Sequence, residues 1–217
     1  MDTPLINDLN ICVATENGSG SASSNNILFK AIFKMGIPCS SKNMFPSNIQ
    51  GLPTWYQIRA SAEGYLSRKD VIDVMVMFND ATMSKDIYRV RDGGIILYDD
   101  STPLQASLKR DGVQYVGFPA NKLVAKLVPA SPLRAKQRNM VYVGALAYLF
   151  GIDMAVIKAV LEDTFGKKPA VIESNLVCID AGYQYVKEQG VKQNIARLEG
   201  VIEESNKTKL QDNKTKN

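Results

Sequence analysis

The sequence predicts an α/β fold: a Rossmann-like three-layer sandwich with a mostly parallel sheet and a helical C-terminal part. Three observations carry that prediction. The apolar run Leu9–Ala14 leads into a small-residue loop, Asn17-Gly18-Ser19-Gly20-Ser21-Ala22-Ser23, and then into apolar residues at helical spacing. Val71–Phe78 and Ile95–Asp99 are apolar runs of strand length, as in strands buried on both faces. Beyond Arg138 the chain reads as successive helices with recognisable caps.

Leu9–Ala14 is the first strand. After the loop, Ile27, Leu28, Ala31, Ile32 and Met35 share a helical face, and Gly36 ends the helix. Ile37–Ser41 is the second strand and completes a strand–loop–helix–strand unit. Thr54–Ser61, rich in aromatic and β-branched residues, is the third. Val71–Phe78 follows, then a helix over Ala81–Val90. Gly93-Gly94 turns the chain into Ile95–Asp99, and Gln114–Phe118 is a further strand. Arg138–Phe150 is an Ala-rich helix containing Gly144. Asp153 caps a helix that runs to Phe165 and stops at Gly166. Val171–Lys187 is the next helix and Val191–Glu204 the last; from Asn206 the composition is wholly polar. Residues 1–190 thus read as one domain. Residues 191–217 read as a helix end and a polar linker.

Composition narrows the function. With 217 residues, 45% hydrophobic and 22% charged, the chain suits one folded domain plus a tail. Its apolar runs are too short or too broken to span a bilayer, and Met1-Asp2-Thr3-Pro4 is no secretory signal, so the expectation is a cytoplasmic protein without a membrane partner. Net charge is +4, but four Lys against one Asp from Asn206 onward supply +3 of it. The remainder is nearly neutral and carries no nucleic-acid footprint. Cys12, Cys39 and Cys178 have no CxxC spacing, which argues against a disulfide framework, a zinc knuckle or an iron–sulfur cluster on this chain alone. Histidine is absent, which removes Ser-His-Asp and Cys-His catalysis and the commonest metal ligand. No catalytic or metal-ligating residue is therefore assigned, and the chemistry is expected on a cofactor or another chain.

Between Asn17 and Ala62 there is no Asp or Glu, while Lys30, Lys34, Lys42 and Arg59 fall within the stretch. The loop Gly18-Ser19-Gly20-Ser21-Ala22-Ser23 resembles a G-x-G-x-x-G fingerprint with serine for the third glycine. Such glycines let backbone N–H groups approach a phosphate, and the following helix N-terminus adds partial positive charge. A tight turn with a serine cap is the alternative. Where NAD-binding units carry an acid for the ribose, this chain has Ser40, Ser41 and Lys42. That disfavours NAD and suits a ligand with an extra phosphate, NADP or coenzyme A, with Lys42 as its partner; otherwise Lys42 is an ordinary surface lysine. In Phe45–Arg59, Pro46, Gly51 and Pro53 shape a loop, Ser47, Asn48 and Gln50 offer neutral donors and acceptors, and Trp55 and Tyr56 stand at its end. This loop either lies beside the glycine loop and its ligand or simply packs Trp55 against the body.

Together these residues resemble the gamma-type domain of the 2-oxoacid:ferredoxin (acceptor) oxidoreductases, over roughly Asp8 to Gly190. Residues 45–56, Phe-Pro-Ser-Asn-Ile-Gln-Gly-Leu-Pro-Thr-Trp-Tyr, are similar to that family's F-P-S-x-I-x-G-x-P region. They most resemble alpha subunits that carry the gamma-type domain at their N-terminus, as among the 2-oxoglutarate and pyruvate enzymes. The glycine loop matches the same subgroup but departs from the commoner G-x-G-G-Q-G pattern at Thr15, Asn17 and Ser19. Asn139-Met140-Val141, Asn175-Leu176 and Ala181-Gly182-Tyr183 match the family's C-terminal half.

The resemblance implies a share in oxidative decarboxylation of a 2-oxoacid to an acyl-coenzyme A. Thiamine diphosphate, magnesium and iron–sulfur clusters are then expected on other domains or chains, since neither a GDG…N signature nor cluster cysteines occur here. Expected partners are the pyrimidine-binding (alpha) and thiamine-diphosphate-binding (beta) domains, with ferredoxin or another acceptor for the complex. The resemblance also implies that Gly18, Ser19, Gly20 and Ser21 face coenzyme A phosphates. Asn139 and Asn175 would supply side-chain hydrogen bonds, and Asn48 lies in the matching second loop. A purely structural assembly domain and a free-standing NADP-binding reductase remain as alternatives.

Overall fold

Along residues 8–16, Leu9, Ile11 and Val13 face one way, Cys12 and Ala14 the other, and all five are buried. A strand covered on both faces belongs inside a sheet. The computed structural model describes residues 4–45, 51–101, 103–128 and 134–201. It begins with β1 (Leu5–Ile6) and β2 (Asp8–Glu16), then runs through α1 (Ser21–Lys34), β3 (Cys39–Met44), β4 (Pro53–Ser61) and β5 (Ile72–Met77). Helix α2 (Met83–Asp86) and a 3-10 turn at Ile87–Arg89 lead to β6 (Val90–Asp99), and a second 3-10 turn at Ala106–Leu108 precedes β7 (Gln114–Phe118). Then come α3 (Ala120–Leu127), α4 (Arg134–Phe150), α5 (Met154–Phe165), α6 (Pro169–Glu188) and β8 (Ala196–Arg197).

Six strands form one sheet in the order β3-β4-β2-β5-β6-β7. Strands β2, β5, β6 and β7 are parallel neighbours, while β4 runs antiparallel between β3 and β2. The sheet is mostly parallel, as expected. Strand β4 reverses because only residues 45–52 connect it to β3. That is enough for a hairpin and too few for a crossover. From β2 the chain moves to one side of the sheet, and from β5 to the other. The carboxyl ends of β2 and β5 therefore flank a topological switch point, where open α/β sheets form their ligand crevice.

The helices are unequally shared between the faces. Helices α1, α3, α4, α5 and α6 pack in one core with Leu9, Val13, Val74, Leu97 and Val116. The other face, with Cys12, Met75 and Ile96, is covered by Met83 of α2 and Ile87 of the adjoining turn. This third layer is thin. It is anchored by buried Asp86, which accepts hydrogen bonds from Trp55 Nε1 (3.0 Å) and Thr82 Oγ1 (2.6 Å) and pairs with Arg89. The body thus packs Trp55 through a specific polar contact.

Three expected elements change. The helix expected over Ala81–Val90 is one α-helical turn and one 3-10 turn, and Val90 already belongs to β6. Gly93-Gly94 is not a turn before that strand but lies inside it. The register with β5 slips between Ile72 and Val74, so residues 91–94 are accommodated as an irregularity. The helix expected over Val191–Glu204 is absent from residues 191–201. Ala196–Arg197 instead pairs with Leu5–Ile6 in parallel, and Asn7 exchanges two side-chain hydrogen bonds with the Glu199 backbone. Ile195, Ala196 and Leu198 are buried, and Leu198 N–H and Val201 N–H donate to Phe150 and Met35 carbonyls. These partners satisfy the backbone better than an isolated helix would. Residues 191–201 are therefore held against the body by strand pairing and backbone hydrogen bonds. Helix α3, to which the sequence reading assigns nothing, follows Pro119 directly.

All three cysteines are free and buried. Burial pushes the Cys12 thiol from 9.0 up to about 12, against a smaller opposing pull from Arg89, and pushes Cys39 and Cys178 to about 11. In that window the unfolded chain ionises its thiols and the folded chain does not. Stability from the protonated thiols is complete below the ordinary value and falls as pH rises through it. For Cys12 the slope reaches at most about 1.4 kcal/mol per pH unit. Urea titrations at pH values on either side of the ordinary thiol value are expected to show this loss, and the native thiols are expected to resist alkylation.

Candidate functional site

The loop after β2 is held in place from four directions. Ser19 N–H donates to the Glu16 carbonyl, closing the turn. Asn17 N–H donates to Leu52 O at 2.8 Å, and Gly51 N–H returns a bond to Asn17 O at 3.0 Å. The end of the Phe45–Tyr56 loop therefore lies against the glycine loop. Asn79, just beyond β5, donates its Nδ2 to Thr15 O at 3.2 Å. From α4, Asn139 donates its Nδ2 to Ser19 O at 3.0 Å. Inside the turn, the Thr15 and Ser21 hydroxyls hydrogen-bond at 2.7 Å.

Gly20 is the N-cap of α1, has φ 80°, and provides no side-chain cap. The first N–H groups of this helix have no intrahelical acceptor, and its first turn contains no acid. They make a partial positive charge. A Cβ on Gly20 would come 2.6 Å from Lys136 Cγ, so the Lys136 side chain lies directly over this cap.

Two recesses flank the loop. One, of about 350 Å³, is lined by Glu16, Asp80 and Asp99, with Arg138 as its cation. Arg138 is already engaged: its Nε lies 3.3 Å from Asp99 Oδ2 and its guanidinium sits 4.7 Å from the Phe78 ring centroid. The other, of about 330 Å³, is lined by Gly18, Gly20, Ser21 and Ala22, with Asn25, Asn43, Thr54 and Tyr56 among the remaining residues and with Glu16 and Lys136 as its charged members. Like charges about 4 Å apart cost roughly 4 kcal/mol near a protein surface. A phosphate is therefore disfavoured among the three carboxylates and favoured beside Lys136 and the helix terminus.

The structure brings together part of the residue set chosen from sequence. Gly18, Gly20 and Ser21 line the recess beside Lys136, and Ser19 and Asn139 line the acidic one. Lys42 is elsewhere, in a third recess along β3 and β4. Asn175 lines neither recess beside the loop; it is buried in α6 and donates back to Val171 O at 2.8 Å. Asn48 lies outside the described residues. Two of the four cations of residues 17–62 are engaged elsewhere, since Lys34 pairs with Asp163 and Arg59 with Asp8. Sequence reasoning missed Lys136. The available signal was its i,i+3 spacing to Asn139, which puts both on one face of α4.

Asn139→Ala is expected to cost about 1 kcal/mol in urea unfolding, because Ser19 O loses its partner in a partly buried place. Among the described residues no group of three or more His, Cys, Asp or Glu is placed to hold a metal, and no helix is long and apolar enough to cross a membrane.

Comparison with known proteins places this crevice in context. Residues 10–185 match the family described as pyruvate ferredoxin/flavodoxin oxidoreductase. The chain belongs to that family. Within the pyruvate ferredoxin/flavodoxin oxidoreductase family, it is 33% identical over 119 residues to ketoisovalerate oxidoreductase subunit VorA of Methanothermobacter thermautotrophicus, covering 55% of this chain and 24% of that one. It is 22% identical to subunit alpha of 2-oxoacid:ferredoxin oxidoreductase 2 from Aeropyrum pernix, covering 83% of this chain and 34% of that one. The chain therefore spans about a quarter to a third of these relatives.

Among solved structures, the 2-oxoglutarate:ferredoxin oxidoreductase of Magnetococcus marinus, with 2-oxoglutarate, coenzyme A and succinyl-CoA bound, superposes with a TM-score of 0.79 at 29% identity. That match covers 90% of this chain and 34% of the Magnetococcus chain. Pyruvate oxidoreductase subunit PORC of Thermotoga maritima superposes at 0.66 with 20% identity, covering 82% of this chain and 96% of that subunit; it shows the shared fold. The family resemblance read from the sequence is borne out by the family match over residues 10–185.

Proposed function

We propose that this chain is a subunit or domain of a 2-oxoacid:ferredoxin or other acceptor oxidoreductase, and that its Lys136 recess receives phosphates of coenzyme A. The overall reaction takes a 2-oxoacid, coenzyme A and an oxidised acceptor to acyl-coenzyme A, carbon dioxide and the reduced acceptor. Thiamine diphosphate, magnesium and iron–sulfur clusters, held on other domains or chains, would supply the bond cleavage and electron transfer. Families of this kind work as multi-subunit or multi-domain assemblies, and the chain spans only part of its longer relatives.

The observation that carries the coenzyme reading is the uncapped α1 N-terminus at Gly20 beneath Lys136. Backbone N–H groups of Gly20, Ser21 and Ala22 would hold phosphate oxygens, and Lys136 would neutralise one charge. Asn139 acts one step back, by holding Ser19 and so the loop's shape. The neutral groups of Asn43, Thr54 and Tyr56 on the opposite wall can hydrogen-bond amides of the pantetheine arm. The acidic recess on the other side repels the same phosphates and so sets the direction in which the coenzyme lies. In this reading the chain orients a co-substrate and performs no bond-breaking step itself.

Purification from the native source tests the assignment. The chain is expected to co-elute with partner polypeptides, and those fractions to reduce a redox dye only when both a 2-oxoacid and coenzyme A are supplied. A chain that elutes without partners, in fractions lacking this activity, would contradict the assignment.

A further inference from the structure

We infer that the recess along β3 and β4 is a second anion site, sized for one phosphate group and separate from the glycine loop. The strand register builds it. Ser40 is directly opposite Arg59 and Lys42 opposite Gln57, so all four project from one face of the sheet. The segment after β4 crosses over that face and is pinned there. Ser40 Oγ donates to Leu66 O at 2.6 Å, and Gln57 Nε2 donates to Lys69 O at 2.6 Å. Between strand and segment lies a recess of about 190 Å³, lined by Ser40, Ser41, Lys42, Gln57, Arg59 and Arg68 along with Leu66.

Its chemistry is one-sided. Three cations line it and no carboxylate does. Arg59 is neutralised by Asp8 from outside the lining, and Arg68 lies 3.4 Å from Asp70, whose side chain is 90% exposed. Arg68 also directs an N–H at the Met44 sulfur, a weak acceptor. Lys42 has no ion pair among the described residues. Arg59 is 3% exposed, and its Nε–H, a donor, is buried without a hydrogen-bond partner. A buried donor left unpaired beside a cationic recess points to an anionic occupant. The volume is below the roughly 300 Å³ at which pockets accept whole drug-sized ligands, so a single polyatomic anion fits and a nucleotide does not. Lys42 and Arg68 would bind its charged oxygens. An edge lysine that only discourages strand pairing would need none of the other groups. The inference does not rest on the coenzyme reading, because the glycine loop contributes nothing to this recess.

The test is a titration of the 217-residue chain with inorganic phosphate at constant ionic strength, followed by amide NMR shifts. Saturable shifts are expected at Ser40–Lys42 and Gln57–Arg59. The exposed-residue variant Lys42→Gln/Arg68→Gln is expected to weaken binding by about tenfold or more, while Lys158→Gln on α5 leaves it unchanged. If the double variant melts early, Lys42→Gln alone is read the same way. Absence of saturation, shifts centred on Gly18–Ala22, or equal weakening by Lys158→Gln would overturn the site. A parallel titration with coenzyme A and its dephospho form identifies the source. Preference for coenzyme A that vanishes in the double variant assigns the site to the coenzyme's ribose phosphate; no preference assigns it to free phosphate.

Discussion

Gly144→Ala is expected to leave the domain unfolded or destabilised by about 4 kcal/mol or more. A Cβ at Gly144 of α4 would sit 1.7 Å from the Ile179 carbonyl oxygen of α6 and 2.7 Å from its carbon. On the facing helix, a Cβ at Gly182 would sit 1.9 Å from Val141 O. These neighbours are backbone, so no side chain can swing aside. The two helices must separate, and separation uncovers Val141 and Ile179, both fully buried beside this contact. Ordinary overpacking costs about 1–3 kcal/mol because cores relax; a rigid helix–helix contact relaxes less. Gly190→Ala is the control. That glycine has φ 64° and nothing within 4 Å of a built Cβ, so its expected cost is only the left-handed backbone term, about 1–2 kcal/mol. Urea unfolding of both variants, compared in the same buffer, measures the difference. The same helix contact fixes α4, and α4 carries Lys136 and Asn139 over the glycine loop. A partly folded Gly144 variant is therefore expected to lose coenzyme binding as well.

Lys136→Glu is expected to raise the KM for coenzyme A by about 30-fold in the assembled enzyme, equivalent to about 2 kcal/mol. Losing one charge-assisted contact accounts for roughly 1.5 kcal/mol or more, and the new carboxylate beside Glu16 adds repulsion. Lys136 is exposed, so salt screens the interaction and the effect is expected to shrink as ionic strength rises. In the proposed role the contact only binds the coenzyme and would be made equally in the ground and transition states. Thus kcat and the KM for the 2-oxoacid are expected to stay near wild type, as for any interaction that only binds. Initial rates at varied coenzyme A and fixed 2-oxoacid separate these quantities. A fall in kcat with unchanged KM would show that Lys136 acts on the chemistry or on assembly instead.

Local signals in the sequence proved the most legible. Asp153 caps α5 through the Ala155 N–H and Gly166 ends it, at the positions their residue types dictate. The apolar runs of β2 and β5 read as buried strands because each contributes to cores on both faces. The failures are tertiary. Residues 191–201 have a helix-compatible composition, but Asn7, Phe150 and Met35 offer their backbone better partners. Gly93-Gly94 reads as a turn until the neighbouring strand shows that the extra residues fit within β6.

The site divides in the same way. The glycine loop and its contact with Gly51 and Leu52 follow from adjacent loops at one end of a sheet. Lys42 reads as part of that site because it follows the second strand where NAD-binding units carry an acid, but strand alternation turns it into another recess. Lys136 comes from a helix more than a hundred residues downstream, and only the packing of α4 brings it over Gly20. No local motif encodes that meeting.

The most direct test of the coenzyme site is a structure of the assembled enzyme with coenzyme A bound. Coenzyme phosphate oxygens are expected at about 3 Å from backbone N–H groups of Gly20, Ser21 and Ala22 and from Lys136 Nζ. Phosphates bound in the acidic recess of Asp80 and Asp99, or wholly on another domain with this loop empty, would contradict the account.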